Sequence, residues 1–175
     1  MGFGDDSMYK WSLGPKDTKE IVAYAYDKGI NFFDTANQYS NGTSEEYLGR
    51  AIKDLGIRRE DVIIASKVFF NEGGLSKEAI KREIDQSLLR LGTDYLDLYL
   101  IHRFDYNVPI EETMDALNDL VKSGKVRALG SSSILAYQML MYQNLAKEKG
   151  YARFEVMENH YNLLYREEER EMIPL

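Results

Sequence analysis

Apolar residues recur along the chain in two alternating patterns. Five segments carry them at helical spacing, as in Leu48, Ala51, Ile52 and Leu55, which stand at i, i+3, i+4 and i+7 on one helix face. The five helices that this spacing predicts are residues 15–28, 44–55, 76–91, 110–123 and 135–149. A glycine directly follows each segment, and glycine just past a helix supplies the left-handed conformation that ends it.

Short, nearly continuous apolar runs, rich in β-branched and aromatic residues, separate the predicted helices. Continuous rather than alternating hydrophobicity is typical of parallel strands that are covered on both faces. The five predicted strands are residues 30–34, 62–67, 95–102, 126–130 and 154–158. One strand and one helix together repeat about every 26 to 36 residues, the length of a βα unit. We therefore expect a helix followed by five strand–helix repeats, the last helix carrying solvated glutamates at 167–171 and cut short at Pro174.

Two α/β architectures fit this order: an open doubly wound sheet, or part of a (β/α)8 TIM barrel. Five strands alone favour the open sheet, but no G-x-G-x-x-G loop follows the first strand, which weakens that choice. A complete barrel needs about 250 residues, and this chain has 175. The length predicts a single domain that is large enough to bury a core.

Composition narrows the classes of partner. The net charge of −7 and the pI near 5.0 argue against nucleic acid and against anionic membranes. The absence of cysteine excludes disulfides, thiolate metal sites and a cysteine nucleophile, and fits a reducing compartment. No apolar run approaches the roughly 20 residues that span a bilayer, and the opening residues do not resemble a signal peptide. We therefore expect a cytoplasmic protein.

Four polar residues stand at or just past the ends of three successive predicted strands. Asp34 ends the first strand, Tyr39 follows it in the next loop, Lys67 ends the second strand and His102 ends the third. Taken singly, each has a structural interpretation as a loop cap, a packing residue, a surface lysine or a structural histidine. Because the carboxyl ends of parallel strands share one rim, we expect the four side chains to lie close together, which favours a functional site.

The chemistry of these four side chains suits protonation of a carbonyl oxygen. A tyrosine is a weak acid, with a pKa near ~10, unless its phenolate is stabilised, and Lys67 is placed to stabilise that of Tyr39. Asp34 would keep the lysine charged, and a neutral His102 would orient the carbonyl. The set holds no nucleophile–base pair for acyl transfer, and the only other histidine, His160, leaves no metal site.

Polar residues also close the fourth and fifth predicted strands. Ser132 and Ser133 can contact a ring amide or a phosphate, or can cap the following helix. Glu158 and Asn159 offer carboxyl and amide groups, although a plain polar loop is an equal interpretation. A glycosidase-type barrel that pairs Glu155 with Glu158 is disfavoured, because residues i and i+3 of a strand face opposite sides.

Six stretches in order resemble the aldo-keto reductase family. They are GINFFDTANQY at 29–39, SEEYLG at 44–49, LRLGTDYLDL at 89–98, IHR at 101–103, GKVRALG at 124–130 and NHYNLLYREEEREMIP at 159–174. The match covers nearly the whole chain, and its last stretch is similar to the fungal and bacterial branch near the aryl-alcohol dehydrogenases. The resemblance selects the barrel: residues 1–175 are expected to form one incomplete domain, a partial TIM barrel of about five to six βα units of eight.

The resemblance also implies NADPH-dependent, reversible reduction of aldehydes and ketones, without a metal. Its catalytic residues fall on Asp34, Tyr39, Lys67 and His102, with Tyr39 as proton donor, Lys67 and Asp34 tuning it, and His102 orienting the carbonyl. Its cofactor-binding residues fall on Asp34, Ser132, Ser133, Glu158 and Asn159. The loops at 68–75 and 103–109 would shape the pocket for a small-molecule carbonyl substrate.

The chain departs from the family pattern in two ways. Ser133 stands where the family usually has asparagine and Glu158 where it has glutamine, and a carboxylate can accept from the nicotinamide amide but cannot donate to it. The resemblance also implies that most of the first strand and the C-terminal units are missing, with the segment that binds the 2′-phosphate of NADP. Open barrel edges predict self-association. The alternative to an enzyme is a catalytically silent fragment that acts as a binding or regulatory module.

Overall fold

The computed structural model of the chain describes residues 2–175. Within them, helices and strands alternate as the apolar pattern predicted, with boundaries that agree to within two residues. The helices are α1 Pro15–Asp27, α2 Thr43–Asp54, α3 Lys77–Leu91, α4 Ile110–Lys122 and α5 Ala136–Lys149. The strands are β1 Phe32–Asp34, β2 Ile63–Val68, β3 Leu96–Ile101, β4 Val126–Ser132 and β5 Phe154–Glu158.

The strands form one parallel sheet in the order β1-β2-β3-β4-β5, which is also their order along the chain. A doubly wound sheet reverses its strand order at a switch point, and this sheet does not. The five strands alternate with helices in a curled half-barrel. The expected partial (β/α)8 barrel is therefore confirmed, and the open-sheet alternative is wrong.

Two separate apolar clusters lie on the two faces of the sheet. The larger one fills the space between the strands and the helices and includes Leu48, Ile84 and Leu117. The smaller one lies on the inner face and consists of Ala65, Leu98 and Leu100, with Ala128 packed against it. No helix within residues 2–175 is long and apolar enough to cross a membrane.

A β-bulge interrupts the pairing of β4 with β5. Leu129 pairs with Phe154, but the next residue, Gly130, pairs with Val156. Residues two apart in a regular strand share a face, so the extra residue moves the side chains that follow it to the other face. Phe154 accordingly packs in the cluster between the sheet and the helices. The side chains of Val156 and Glu158 lie on the opposite, inner face of the sheet.

The sequence prediction of a last helix near residue 170 is wrong. The segment contains one 3-10 turn at Glu167–Glu169, followed by turns. Most of its side chains are exposed, Leu163 at 91% and Leu164 at 99%. A short helix in water needs an apolar face that packs on other elements, and in this segment only Met172 contacts the core.

The first residues contain no regular strand in the part that the structure describes. The family resemblance implied that most of the first strand is missing, with a remnant at about residues 1–4, of which Met1 lies outside the described residues. Phe3 makes a single parallel bridge to Leu13. This segment packs instead against the loop that follows β1, where it contributes to the site described below.

Candidate active site

Lys67, near the end of β2, is the centre of a buried ionic cluster. Its side chain is 0% exposed, and its Nζ donates to both carboxylate oxygens of Asp34, at 2.6 and 2.5 Å. Nζ also donates to the carbonyl oxygen of Thr35 at 3.0 Å. Asp34 is the last residue of β1, which pairs with β2 in parallel. The two strand ends therefore bring the acid and the lysine together, as the sequence predicted.

Tyr39 lies beside this pair in the loop after β1. The Nζ of Lys67 is 5.2 Å from the centre of the Tyr39 ring. The two residues after the tyrosine, Ser40 and Asn41, have φ angles of 46° and 53°, a conformation that is costly for residues other than glycine. Such strain persists only where the surrounding structure enforces it, and it is concentrated at functional sites.

The N-terminal segment provides part of that enforcement. The backbone N–H of Asp5 donates to Thr43 Oγ1 at 2.9 Å. Gly4 lies so close to the loop that a Cβ there would be 2.3 Å from the Cβ of Ser40. The sequence carried no clear pattern in its first dozen residues, because their contacts are backbone and short polar ones rather than a periodic apolar face.

His102 completes the predicted group of four. Its ring meets the ring of Tyr39 edge-on, with centroids 5.6 Å apart, and meets Phe70 in the same way at 5.0 Å. Its Nδ1 is buried and has no hydrogen-bond partner within residues 2–175. Burial, with the positive charges of Lys67 and Arg103, lowers the pKa of His102 to about 3. The imidazole is therefore neutral throughout the physiological range.

The acidities of the other members reflect burial and charge. Burial opposes the charged form of Lys67, but the acidic groups around it, chiefly Asp34 with a smaller effect of Glu158, together raise the pKa of the lysine. Burial raises the pKa of Tyr39; Lys67 lowers it, while Asp34 and Glu158 raise it. The sequence predicted that Lys67 would stabilise the phenolate. Lys67 does lower the pKa of Tyr39, but burial and the carboxylates of Asp34 and Glu158 together raise it by more.

The residues expected at the cofactor also converge on this rim. Ser132 Oγ and Ser133 Oγ are 3.4 Å apart at the end of β4, and the N–H of Ser133 donates to the carbonyl of Glu158 at 3.0 Å. The side chain of Glu158 turns to Lys67, with Oε2 3.3 Å from Nζ. Asn159 follows, and its Oδ1 is buried without a hydrogen-bond partner in the described part of the chain.

A cavity of about 280 Å³ opens beside Tyr39 and His102. Its lining residues are Met8, Tyr9, Gln38, Tyr39, Phe70, His102 and Arg103. The loops at 68–75 and 103–109, which the sequence named as shaping a pocket, supply two of these residues. The sequence analysis missed Met8, Tyr9 and Gln38, because they belong to no periodic element; Gln38, next to Tyr39, was the one with a positional signal.

The model of the aldo/keto reductase family matches residues 1–175. The chain belongs to the aldo/keto reductase family. An aldo-keto reductase of Fusarium vanettenii is 46% identical, over 97% of this chain and 54% of its own length. Versiconal hemiacetal acetate reductase of Aspergillus parasiticus is 42% identical, over 99% of this chain and 57% of its own. A putative aryl-alcohol dehydrogenase of Schizosaccharomyces pombe is 41% identical, over 99% of this chain and 58% of its own length.

The chain thus spans about half the length of the curated relatives that it matches. Aldo/keto reductases are oxidoreductases that generally use NAD(P)H and act on small carbonyl compounds. The part of the family that this chain matches contains Lys67 with its three neighbours Asp34, Tyr39 and His102, and the polar ends of β4 and β5. The family assignment rules out the glycosidase alternative. The two carboxylates that it required also do not face each other, because Glu155 pairs with Arg153 and Glu158 pairs with Lys67.

Proposed function

We propose that this chain reduces aldehydes or ketones with NADPH, and that Tyr39 donates the proton to the carbonyl oxygen. The observation that carries the proposal is the convergence of four side chains on one rim. Lys67 is bound by Asp34 and lies 5.2 Å from the Tyr39 ring centre, and His102 meets that ring at 5.6 Å. The family supports an oxidoreductase in general terms, and the spacing of these groups supports the specific roles below.

Tyr39 holds its proton at neutral pH, because its pKa is raised, chiefly by burial. It is therefore in the form that a proton donor requires. As the carbonyl oxygen takes the proton, negative charge develops on the phenolic oxygen, and the nearby Lys67 ammonium stabilises it. Asp34 keeps that ammonium charged and in position through the hydrogen bonds at 2.6 and 2.5 Å.

His102 orients the substrate in this proposal. A neutral imidazole has one N–H donor and one acceptor nitrogen, and its lowered pKa of about 3 keeps His102 in that form. Its edge-on contact with Tyr39 allows both residues to reach one carbonyl oxygen that enters the cavity. Two donors at one oxygen fix its position and favour proton transfer.

The polar ends of β4 and β5 fit the amide of a nicotinamide ring. The buried, unpartnered Oδ1 of Asn159, noted above, is an acceptor that an amide NH₂ would satisfy. Ser132 and Ser133 offer hydroxyl groups at the end of the paired strand β4, and the carboxylates of Glu158 and Asp34 lie on the same rim. When bound, the cofactor supplies the hydride that reaches the carbonyl carbon. NADPH rather than NADH is our proposal from the family resemblance.

The cavity suggests a small carbonyl compound with an aromatic or apolar body. Tyr9 and Phe70 line it with aromatic surface, and Arg103 adds a positive charge. One relative is named as a putative aryl-alcohol dehydrogenase. An aryl aldehyde is therefore the first substrate class that we propose to test.

The test uses the purified chain, an NADPH titration followed by nicotinamide fluorescence, and reduction of benzaldehyde followed by loss of NADPH absorbance. Tyr39→Phe removes the donated proton but leaves the ring, so we expect saturable NADPH binding with turnover lowered about 10²- to 10⁴-fold. Tyr24→Phe is the matched control, because Tyr24 is an exposed tyrosine on α1. Equal turnover in wild type and Tyr39→Phe would contradict the role of Tyr39.

The second candidate is a catalytically silent binding or regulatory module, and the observation that favours it is Glu158, whose carboxylate lies 3.3 Å from Lys67 and raises the pKa of Tyr39. The same titration separates the two. A folded protein that binds no NADPH and reduces no aldehyde would support the silent module and reject the enzyme.

A further inference from the structure

Lys67 lies between two carboxylates rather than beside one. Asp34 approaches its Nζ from β1, and Glu158 approaches from β5 with Oε2 at 3.3 Å. The lysine itself is fully buried, while both acids keep part of their side-chain surface in solvent. The proposed chemistry uses the first of these acids and assigns no proton-related role to the second.

The fold directs Glu158 to this position. The bulge after Phe154 moves the following side chains of β5 to the inner face of the sheet. In the pairing, Lys67 is opposite Leu100, Leu100 is opposite Gly130, and Gly130 is opposite Val156. Glu158, two residues beyond Val156, therefore projects from the same face as Lys67, one layer nearer the rim.

The charge of Lys67 is shared between Glu158 and Tyr39. An ammonium group carries three protons, and among the described residues its hydrogen bonds go to the two carboxylate oxygens of Asp34 and to the Thr35 carbonyl. Glu158 instead forms an ion pair with Nζ at 3.3 Å. Its negative charge therefore offsets part of the positive charge that would stabilise the Tyr39 phenolate. Glu158 can lose that charge by taking a proton.

We infer that Glu158 is a positioning residue: while ionised it offsets the positive charge of Lys67 that faces Tyr39, and once protonated it leaves that charge to the tyrosine. The inference rests on the proposed role of Tyr39 as proton donor. It predicts that reduction becomes faster as the pH falls through the titration of Glu158. A neutral side chain of the same shape would remove that dependence.

The charges around Glu158 support this direction. Among residues 2–175, the groups that face it are Lys67 from β2, Asp34 from β1, Tyr39 from the following loop, and the uncharged Ser132 opposite it on β4. Burial raises the pKa of Glu158 above its ordinary value; Lys67 lowers it, and Asp34 raises it. Glu158 also raises the pKa of Tyr39. Its ionised form therefore makes the tyrosine a weaker acid.

The test compares wild type, Glu158→Gln and Glu155→Gln. Glu155 is the matched control, since it lies on the same strand and pairs with Arg153 instead of Lys67. Tyrosines labelled with ¹³C at Cζ report their own ionisation by NMR, and Tyr39→Phe identifies the resonance of Tyr39. We expect Tyr39 to ionise at lower pH in Glu158→Gln and at the wild-type pH in Glu155→Gln. An unchanged titration of Tyr39 in Glu158→Gln would overturn the inference.

A second measurement covers the case in which Glu158→Gln does not fold. In the wild type, the Tyr39 resonance should shift slightly in the acid range, as Glu158 takes its proton; a flat resonance there would also overturn the inference. Neither measurement needs cofactor or turnover, so a protein without reductase activity would reject the proposed function and leave this result interpretable. In an active protein, the rise in kcat/KM at acid pH should be present in wild type and Glu155→Gln and absent in Glu158→Gln.

Discussion

A lysine without any exposed surface loses its hydration, and several partners must compensate for that loss. Lys67 has a bidentate carboxylate, a backbone carbonyl and a second, more distant carboxylate. Two acids around one base leave the cluster with an excess of negative charge. The consequence at this scale is that Tyr39 is a weaker acid here than Lys67 alone would make it.

His102 gives the residue-scale prediction on stability. Its pKa falls from about 6.5 in an unfolded chain to about 3 in the folded one. A group with a lowered folded pKa contributes stability that is present above about pH 6.5 and is lost as the pH falls toward 3. We therefore expect the free energy of unfolding of the wild type to decrease between pH 7 and pH 4 more steeply than that of His102→Gln.

Urea denaturation at both pH values measures this difference. His160→Gln is the control, because His160 is the other histidine of the chain and its side chain is exposed. It should keep the wild-type pH dependence. If His102→Gln and wild type lose stability in parallel, the buried ring does not titrate as we describe.

At the scale of elements, the contact between α2 and α3 leaves no space at one point. A Cβ at Gly49 would be 2.3 Å from the carbonyl oxygen of Leu91, which is backbone and cannot move aside. Alanine is the better helix former by about 1 kcal/mol, but overpacking typically costs about 1–3 kcal/mol. We expect Gly49→Ala to lower the free energy of unfolding, measured by urea titration.

Gly14→Ala is the matched control for this prediction. Gly14 precedes α1 with a φ of −68°, and a Cβ there would have no neighbour within 4 Å. The free energy of unfolding of Gly14→Ala should therefore differ little from that of the wild type. A Gly49→Ala protein as stable as Gly14→Ala would show that the two helices can separate at no cost.

Elements whose apolar residues recur at regular spacing could be predicted from the sequence. Elements that depend on packing or pairing with other parts of the chain could not. The apolar stripe of α2 and the terminal Gly92 after α3 predict their helices directly. The segment around Glu167–Glu169 has helix-forming residues, but its apolar residues pack on almost nothing, so it remains a turn. The bulge at Phe154 has no sequence signal, because it arises from how β5 pairs with β4.

The same distinction holds for the site. Asp34, Lys67 and His102 could be placed from sequence, because strand ends in a parallel sheet share a rim. The contact of Glu158 with Lys67 could not, since it depends on the bulge. Tyr9 in the cavity wall was likewise missed, because it lies in a segment held by backbone contacts.

At the scale of the whole molecule, β1 and β5 are the two outer strands of the sheet that the structure describes. Outer strands present backbone groups that can pair with another chain. Phe32 on β1 is an apolar side chain with 48% of its surface exposed, next to that edge.

We therefore expect concentration-dependent self-association, which Phe32→Lys should weaken, because charge on an edge strand opposes pairing. Sedimentation velocity over a range of concentrations measures it. Leu89→Lys is the control, since Leu89 is exposed on α3 away from the strand edges. A wild type that stays monomeric at high concentration, or equal effects of the two variants, would contradict this prediction.

The bulge in β5 has a consequence for how this site can change in evolution. Glu158 reaches Lys67 because of one additional residue between Phe154 and Val156. Deleting a single residue there would turn the end of the strand over and remove a charge from the lysine without substituting any residue of the site. A one-codon deletion could thus alter proton chemistry in a way that a comparison of site residues alone would not reveal.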